Sequence, residues 1–358
     1  MEKSLILAIN PGSTSTKIGV FQGLKLIMEK TIRHTAEELS PFKRITDQYD
    51  FRKETILKEL RASGIALSDL RIVMGRGGLI KPVPSGVYEV NDQMEQDLRA
   101  GLLGEHASNL GGLIARDIAR SIPGAQAYIA DPVVVDELAD VARISGHPLF
   151  ERKSIFHALN QKAIARLHAE KVGKAYEDLS LIVAHLGGGI SIGAHYKGKV
   201  IDVNQALDGE GPFSPERSGT LPVGDLVRLC FSGKYSQEEI RKMITGKGGY
   251  VAYLGTNNAQ EVEERALAGE PQAKRIRDAM IYQIAKEIGA LSTVLEGEVE
   301  GILITGGIAY SESFTRDLSR RIKHLGPVFI YPGEDELRAL AFNGLRVLEG
   351  KAIPQIYR

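Results

Sequence analysis

Three stretches of the chain set glycine and small polar residues directly after apolar runs. They are Asn10-Pro11-Gly12-Ser13-Thr14-Ser15-Thr16-Lys17, His185-Leu186-Gly187-Gly188-Gly189 and Thr305-Gly306-Gly307-Ile308-Ala309. A Gly/Ser turn after a buried strand can aim several backbone N–H groups at one point, which suits phosphate oxygens. One such turn merely reverses a chain, but three, two of them in repeated context, point to polyphosphate binding. None has the Gly-x4-Gly-Lys-Ser/Thr spacing of a P-loop, and no Gly-x-Gly-x-x-Gly leads from a strand into a helix. Asn10, Ser15 and Lys17 carry the most information, because polar residues placed directly after a buried strand need a reason to be there.

Two segments place these turns in the same context. Leu5–Ile9, the first turn, residues 18–21, a bend at Gly23 and residues 24–32 read as strand, turn, strand, turn, strand. Residues 181–184, the second turn, 190–196, a bend at Gly198 and Val200-Ile201 repeat the order, and the tight loops make neighbouring strands antiparallel. Helical patterns follow at 51–62, 92–100, 110–121, 155–170 and 335–348. The clearest is 273–295, where Ala273, Ile276, Met280, Ile284, Ile288, Leu291 and Leu295 share a face. Short buried strands fit 71–74, 127–129 and 301–305. The expected architecture is α/β with two domains, each a β-meander plus helices, and a pseudo-symmetric interdomain cleft. The expected domains are residues 1–149, joined by the C-terminal helix 338–358, and a nucleotide-binding domain of residues 150–337.

Residues 6–17 resemble the N-terminal signature of the acetate and butyrate kinases, and residues 183–191 resemble their second signature. His106 with Asn109, Asp131, His157, Arg217-Ser218-Gly219 and Thr305-Gly306-Gly307-Ile308 match further landmarks, so the resemblance spans nearly the whole chain. It implies the actin/Hsp70/sugar-kinase fold, ATP/ADP and Mg2+ as cofactors, a homodimer, and reversible phosphoryl transfer between ATP and a short-chain fatty acid carboxylate. Gly188 stands where the acetate enzymes carry Asn, and Arg76-Gly77-Gly78 replaces their longer His-Arg-Val-Val-His-Gly-Gly run. Both departures favour butyrate, converted to butyryl phosphate.

The resemblance implies a role for each matched residue. Asn10, Ser13, Ser15, Lys17, His185, Gly187, Gly188, Gly189, Thr305, Gly306, Gly307 and Ile308 would meet the nucleotide. Arg217 and His157 would hold the transferring phosphoryl group. Arg76, His106 and Asn109 would meet the acid, with Arg76 the nearest candidate for the family's substrate arginine. Asp131 would orient the site or hold a magnesium-bound water. Asn10 and an acidic residue of the run Glu334-Asp335-Glu336 would flank the ion, with Glu336 preferred over Asp335. A carboxylate is ionised near neutral pH, so its attack on a phosphate needs charge neutralisation rather than a strong base.

Plainer roles compete at several of these positions. Asp131 precedes Pro132 and fits a turn, Asp335 fits a helix cap, Arg217 fits a surface ion pair, and His106 fits a helix start. His34, His168, His195 and His324 sit in polar segments and read as exposed, without a role.

Composition narrows the class. Forty-five Lys plus Arg balance 45 Asp plus Glu, which argues against a nucleic-acid or membrane-surface binder. A single cysteine, Cys230, excludes an internal disulfide and reads as a buried structural residue in a reducing, cytoplasmic protein. Met1–Leu7 lacks the features of a signal peptide, and no run is long enough to span a membrane. Competing readings are an actin- or Hsp70-like ATP-driven switch, a sugar kinase, and a kinase for acetate, propionate or branched acids.

Overall fold

The computed structural model describes residues 4–358. Met1–Lys3, the start of the stretch read as no signal peptide, lie outside the described residues. Among those described, twelve strands form two sheets: β1 Leu5–Pro11, β2 Ser15–Gln22, β3 Lys25–Arg33, β4 Leu70–Arg76, β5 Val87–Glu89, β6 Gln126–Ala130, β7 Ser180–Leu186, β8 Ile190–Tyr196, β9 Lys199–Val203, β10 Gly301–Gly306, β11 Val328–Pro332 and β12 Gln355–Ile356. The chain divides into two units, Met1–Val135 with Asp335–Arg358, and Asp136–Glu334. Their edges fall at 135/136 and 334/335, earlier than the expected 149/150 and 337/338. Val135 still bridges to Val83, whereas Asp136 is bound by Arg143 and Glu137 by Lys162.

The first unit holds a sheet of order β12-β5-β6-β4-β1-β2-β3, the second a sheet of order β11-β10-β7-β8-β9. In each, an antiparallel meander (β1-β2-β3, β7-β8-β9) is extended by parallel strands on its first member, β4 then β6 and β10 then β11. The duplication read from the two turns is therefore a duplication of topology. β1 and β7 are buried at every position, as expected of strands covered on both faces.

Two contacts fix where the chemistry-bearing turns lie. The helix Asn109–Arg120 rests on β4 and β6, so closely that a Cβ at Gly75 would overlap the carbonyl of Gly111 and one at Gly111 would overlap that of Arg76. In the second unit, Pro271–Val294 packs against β7 and β8. Its seven-residue apolar stripe is buried throughout, Leu295 closing it just beyond the last turn.

Helices observed at Tyr49–Ala62, Asp92–Ala100, Asn109–Arg120, Ala158–Val172, Pro271–Val294 and Glu336–Leu348 lie where periodicity placed them. Ala259–Leu267 and Glu312–Ile322 were not foreseen. Cys230 is exposed, not buried, because its helix buries none of its residues. Three histidines read as exposed are buried, each with a polar partner. His34 meets Thr16 Oγ1 at 3.0 Å, His168 meets Tyr331 Oη at 2.9 Å, and His195 meets Tyr176 Oη at 2.7 Å and Gln161 Oε1 at 2.9 Å. His324 is exposed. No helix among the described residues is long and apolar enough to cross a membrane.

Burial pushes all three buried imidazoles below their ordinary value of 6.5, helped by Arg52 at His34, Lys171 at His168, and Lys162 with Arg166 at His195. As pH falls through that value the unfolded chain takes up protons that the folded chain refuses, so folded stability must fall with it. Calorimetry should show a melting temperature that is flat between about pH 8 and 7 and declines from about 6.5 toward 5. A flat profile through that window would mean these imidazoles are not held neutral.

Candidate active site

The first turn is shaped from beneath by a side chain with no signature of its own. Arg52, on the helix Tyr49–Ala62, is only 1% exposed. Its Nη1 donates to Gly12 O at 2.7 Å, Ser15 O at 3.1 Å and Thr16 Oγ1 at 3.1 Å, and its Nη2 donates to Ser13 O at 2.9 Å. Nε and Nη2 both donate to Gln48 Oε1. The fourth carbonyl, Thr14 O, accepts from His34 N at 2.9 Å. A trans peptide points its N–H opposite to its C=O. With the carbonyls of residues 12–14 drawn inward, the N–H groups of Ser13, Thr14 and Ser15 are turned outward, beside the exposed side chains of Ser13 and Lys17. Burial pushes Arg52 down to about 10, so it remains a cation at neutral pH beneath the turn.

At the end of β1, Asn10 faces Arg76 and Glu336. Asn10 Nδ2 donates to Glu336 Oε2, Arg76 Nη1 donates to Asn10 Oδ1 at 3.2 Å, and Arg76 Nη2 pairs with Glu336 Oε1 at 3.0 Å. Glu336 is 8% exposed at the first position of its helix, whereas Asp335 caps that helix by accepting from Arg338 N at 2.9 Å. Asp131 is buried with φ +38°, a strained conformation for a non-glycine residue. Its Oδ1 accepts from Ser85 Oγ at 2.6 Å and Gly86 N at 2.9 Å. His106 is exposed, with Nδ1 accepting from Ser108 N at 3.2 Å. Asn109 is fully buried, and its amide is engaged by Leu79 N at 2.8 Å and Gly104 O at 3.1 Å, so it holds the chain after Gly78 in place.

In the second unit, His185 is the penultimate residue of β7 and His157 precedes the helix Ala158–Val172. Their rings stack at 4.0 Å with 20° between planes. His185 Nδ1 meets Asn160 Oδ1 at 2.9 Å and Nε2 lies 3.3 Å from Glu334 Oε2. Between β7 and β8 the turn closes through Gly187 N to Gly189 O at 3.0 Å, and Ser214 Oγ donates to Gly188 O at 2.6 Å. Arg217 donates to Ala206 O at 2.7 Å. Its guanidinium lies so near Gly189 that a Cβ there would collide with it, while a Cβ at Gly188 would meet only Glu216 Oε1 at 4.0 Å. Burial lowers Arg217 from its ordinary value, partly offset by Glu216.

The third turn leaves β10 through Gly306, which exchanges both backbone hydrogen bonds with Gly333 at 3.0 Å. Thr305 is fully buried and donates to Gly333 O at 3.0 Å, Ile308 is buried, and Gly307 is exposed. The first unit thus brings together Asn10, Arg76 and Glu336, and the second stacks His157 on His185 and sets Arg217 against Gly189. Sequence reasoning missed Arg52, Ser191 and Ser214. The i, i+4 pair of Gln48, just before a helix, and Arg52 on it is the one local signal that could have marked the first.

A duplicated meander with two phosphate-type turns backed by cationic side chains defines a phosphotransferase of the actin/Hsp70/sugar-kinase fold. The chain belongs to the acetokinase family, which matches residues 147–333. Butyrate kinase 2 of Clostridium acetobutylicum is 56% identical over 356 residues, covering 99% of this chain and 100% of the relative. The acetate kinase structure from Porphyromonas gingivalis shares the fold with a TM-score of 0.79 at 19% identity, over 96% of this chain and 100% of that one. A propionate kinase structure from Francisella tularensis does so with 0.76 at 17%, over 95% and 98%.

Replacing Arg52 by Met takes the donor from the Gly12 and Ser13 carbonyls and should cost on the order of 3 kcal/mol in urea unfolding, together with weaker nucleotide binding by calorimetry. Arg52→Lys should recover only part, having a point charge in place of the fork. Unchanged nucleotide affinity in a folded Arg52→Met protein would show that the turn holds its shape without it. The two glycines give a paired test. Gly188→Ala should leave turnover near normal, whereas Gly189→Ala, by displacing Arg217, should lower it about a hundredfold or more. Equal effects from the two would break the link between Gly189 and Arg217.

Proposed function

We propose that the protein transfers a phosphoryl group reversibly between ATP and a short-chain fatty acid, with butyrate the foremost acceptor. The supporting observation is the make-up of the two clusters: guanidinium, imidazole and turn N–H groups that neutralise charge, with their carboxylates already engaged, Glu336 by Arg76 and Asn10 and Glu334 beside His185. Asp131, the carboxylate matched to the site by resemblance, already accepts two hydrogen bonds on Oδ1, which makes that oxygen a poor base. A hydroxyl acceptor, as in sugar kinases, needs such a base; an ionised carboxylate does not. Its oxygen forms a bond to the γ-phosphorus as the bond to the β-bridging oxygen breaks, and ADP leaves without any proton being moved. The relatedness to butyrate kinase 2 favours butyrate among the acids, and a homodimer remains part of this reading. The exposed apolar side chains Val223 and Phe231, at 71% and 87%, are compatible with such a contact.

The residues fit Mg2+. Asn10 Oδ1 and the Glu336 carboxylate are hard oxygen donors, and this ion takes one or two protein oxygens, waters and substrate phosphates rather than a closed cage. No group of three His, Cys, Asp or Glu among the described residues forms such a cage. When bound, the ion would neutralise phosphate charge. Both oxygens now bind Arg76, so Arg76 is the cation that Mg2+ would replace, leaving its guanidinium for the acid's carboxylate. Arg217 and His157 would meet the phosphoryl oxygens, and Ser13, Ser15, Lys17, His185 and the Gly-rich turns the nucleotide.

Incubation with ATP, Mg2+, butyrate and hydroxylamine should yield butyryl hydroxamate, and butyryl phosphate with ADP should yield ATP. Butyrate should exceed acetate in kcat/KM. A folded, ATP-binding preparation that gives no hydroxamate with any acid from acetate to isovalerate would sink the proposal.

A further inference from the structure

We propose that Gln161 and His195 are positioning residues that, through Ser191, fix the ring proton of His157 on Nε2 by a one-directional chain of buried hydrogen bonds. The inference rests on reading His157 as a phosphoryl contact, and gives that contact its chemical form. Gln161 lies on the helix Ala158–Val172, and Ser191 and His195 lie on one face of β8. All three are completely buried. Gly193, between the two strand residues, lets the amide lie against the strand, since a Cβ there would stand 2.7 Å from Gln161 Oε1.

The direction of the chain follows from which atoms can donate. Gln161 Nε2 lies 3.1 Å from Ser191 O. A carbonyl only accepts, so the amide nitrogen must be on that side. Gln161 Oε1 then faces His195 Nε2 at 2.9 Å and can only accept, so His195 carries its proton on Nε2 and its Nδ1 accepts from Tyr176 Oη at 2.7 Å. The second amide proton of Gln161 goes to Ser191 Oγ at 2.8 Å, and the backbone N–H of His157 reaches the same oxygen at 3.3 Å. Both lone pairs of Ser191 Oγ are thereby filled, leaving its own proton to donate. The acceptor is His157 Nδ1, at 2.8 Å. His157 is therefore the Nε2–H tautomer, a neutral imidazole with one fixed N–H donor. Its stacking on His185 at 4.0 Å fits this form, because two imidazolium rings at that spacing would repel. A donor held in a fixed orientation can bind a phosphoryl oxygen without reorganising as charge develops there.

Ring-nitrogen NMR of the ligand-free protein labelled with 15N-histidine tests this, with the His157 signals assigned through His157→Gln. In the wild type, Nδ1 of His157 should show the shift of an unprotonated nitrogen and Nε2 that of a protonated one. Gln161→Glu can accept from His195 and Ser191 but donate to neither, so Ser191 should turn its proton away and His157 should move its proton to Nδ1. Turnover should then fall on the order of a hundredfold, with the KM for ATP little changed. Should that variant not fold, Ser191→Ala provides the second arm, and loss of its donor should give mixed tautomers at His157. A protonated Nδ1 in the wild type overturns the proposal, as does an unchanged Nε2–H signal in either folded variant. The spectra are read on the free protein, so their outcome is independent of whether hydroxamate forms.

Discussion

Everything at the first turn depends on four carbonyl oxygens being held inward. A chain reversing between two buried strands would ordinarily present a mixture of C=O and N–H to solvent, which is of little use to an anion. Arg52 takes three of those carbonyls and the backbone N–H of His34 the fourth, and peptide planarity turns the intervening N–H groups outward. The same side chain adds a buried positive charge behind the turn. Its partners are carbonyl, amide and hydroxyl oxygens, so that charge is solvated by dipoles rather than cancelled by a carboxylate. The second turn meets the same constraint with different residues. There Ser214 takes the Gly188 carbonyl and Gly189 lies flat against Arg217.

Close backbone approach is the other recurring device. β4 and the helix Asn109–Arg120 meet through Gly75 and Gly111. The buried amide of Asn109 then fixes the segment after Gly78 by way of Leu79 N and Gly104 O. Arg76 ends β4 directly before that contact, so its guanidinium starts from a rigid base toward Asn10 and Glu336. The run Arg76-Gly77-Gly78 thus has a packing reason besides any resemblance.

The fold was legible because its signals are local. A buried strand followed by a Gly/Ser turn, repeated once, gives the duplicated meander, and the stripe from Ala273 to Leu295 identifies the long helix by periodicity alone. Residues that work by pairing over long sequence distances were not legible. Arg52 looks like any polar residue on an amphipathic helix until Gly12, Ser13 and Ser15 are seen around it, and His195 looks solvent-exposed until Tyr176 and Gln161 are. Periodicity reports apolar faces, and a polar side chain in such a pattern is read as exposed even when a distant partner makes its burial tolerable. Cys230 fails in the opposite sense. Its helix has an apolar stripe, yet it buries none of its residues.

The two arginines matched to chemistry differ in how their charge is balanced. Arg76 is paired with Glu336 at 3.0 Å and also donates to Asn10, so an incoming anion must compete with a carboxylate already in place. Arg217 donates to the Ala206 carbonyl and is pushed downward by burial, with Glu216 compensating only in part. A cation whose solvation is incomplete gains more from an approaching anion than one already ion-paired. An anion approaching Arg217 would therefore gain more than one approaching Arg76. It also accounts for the collision-tight packing at Gly189, since a guanidinium whose value lies in its position is best held where no side chain can displace it.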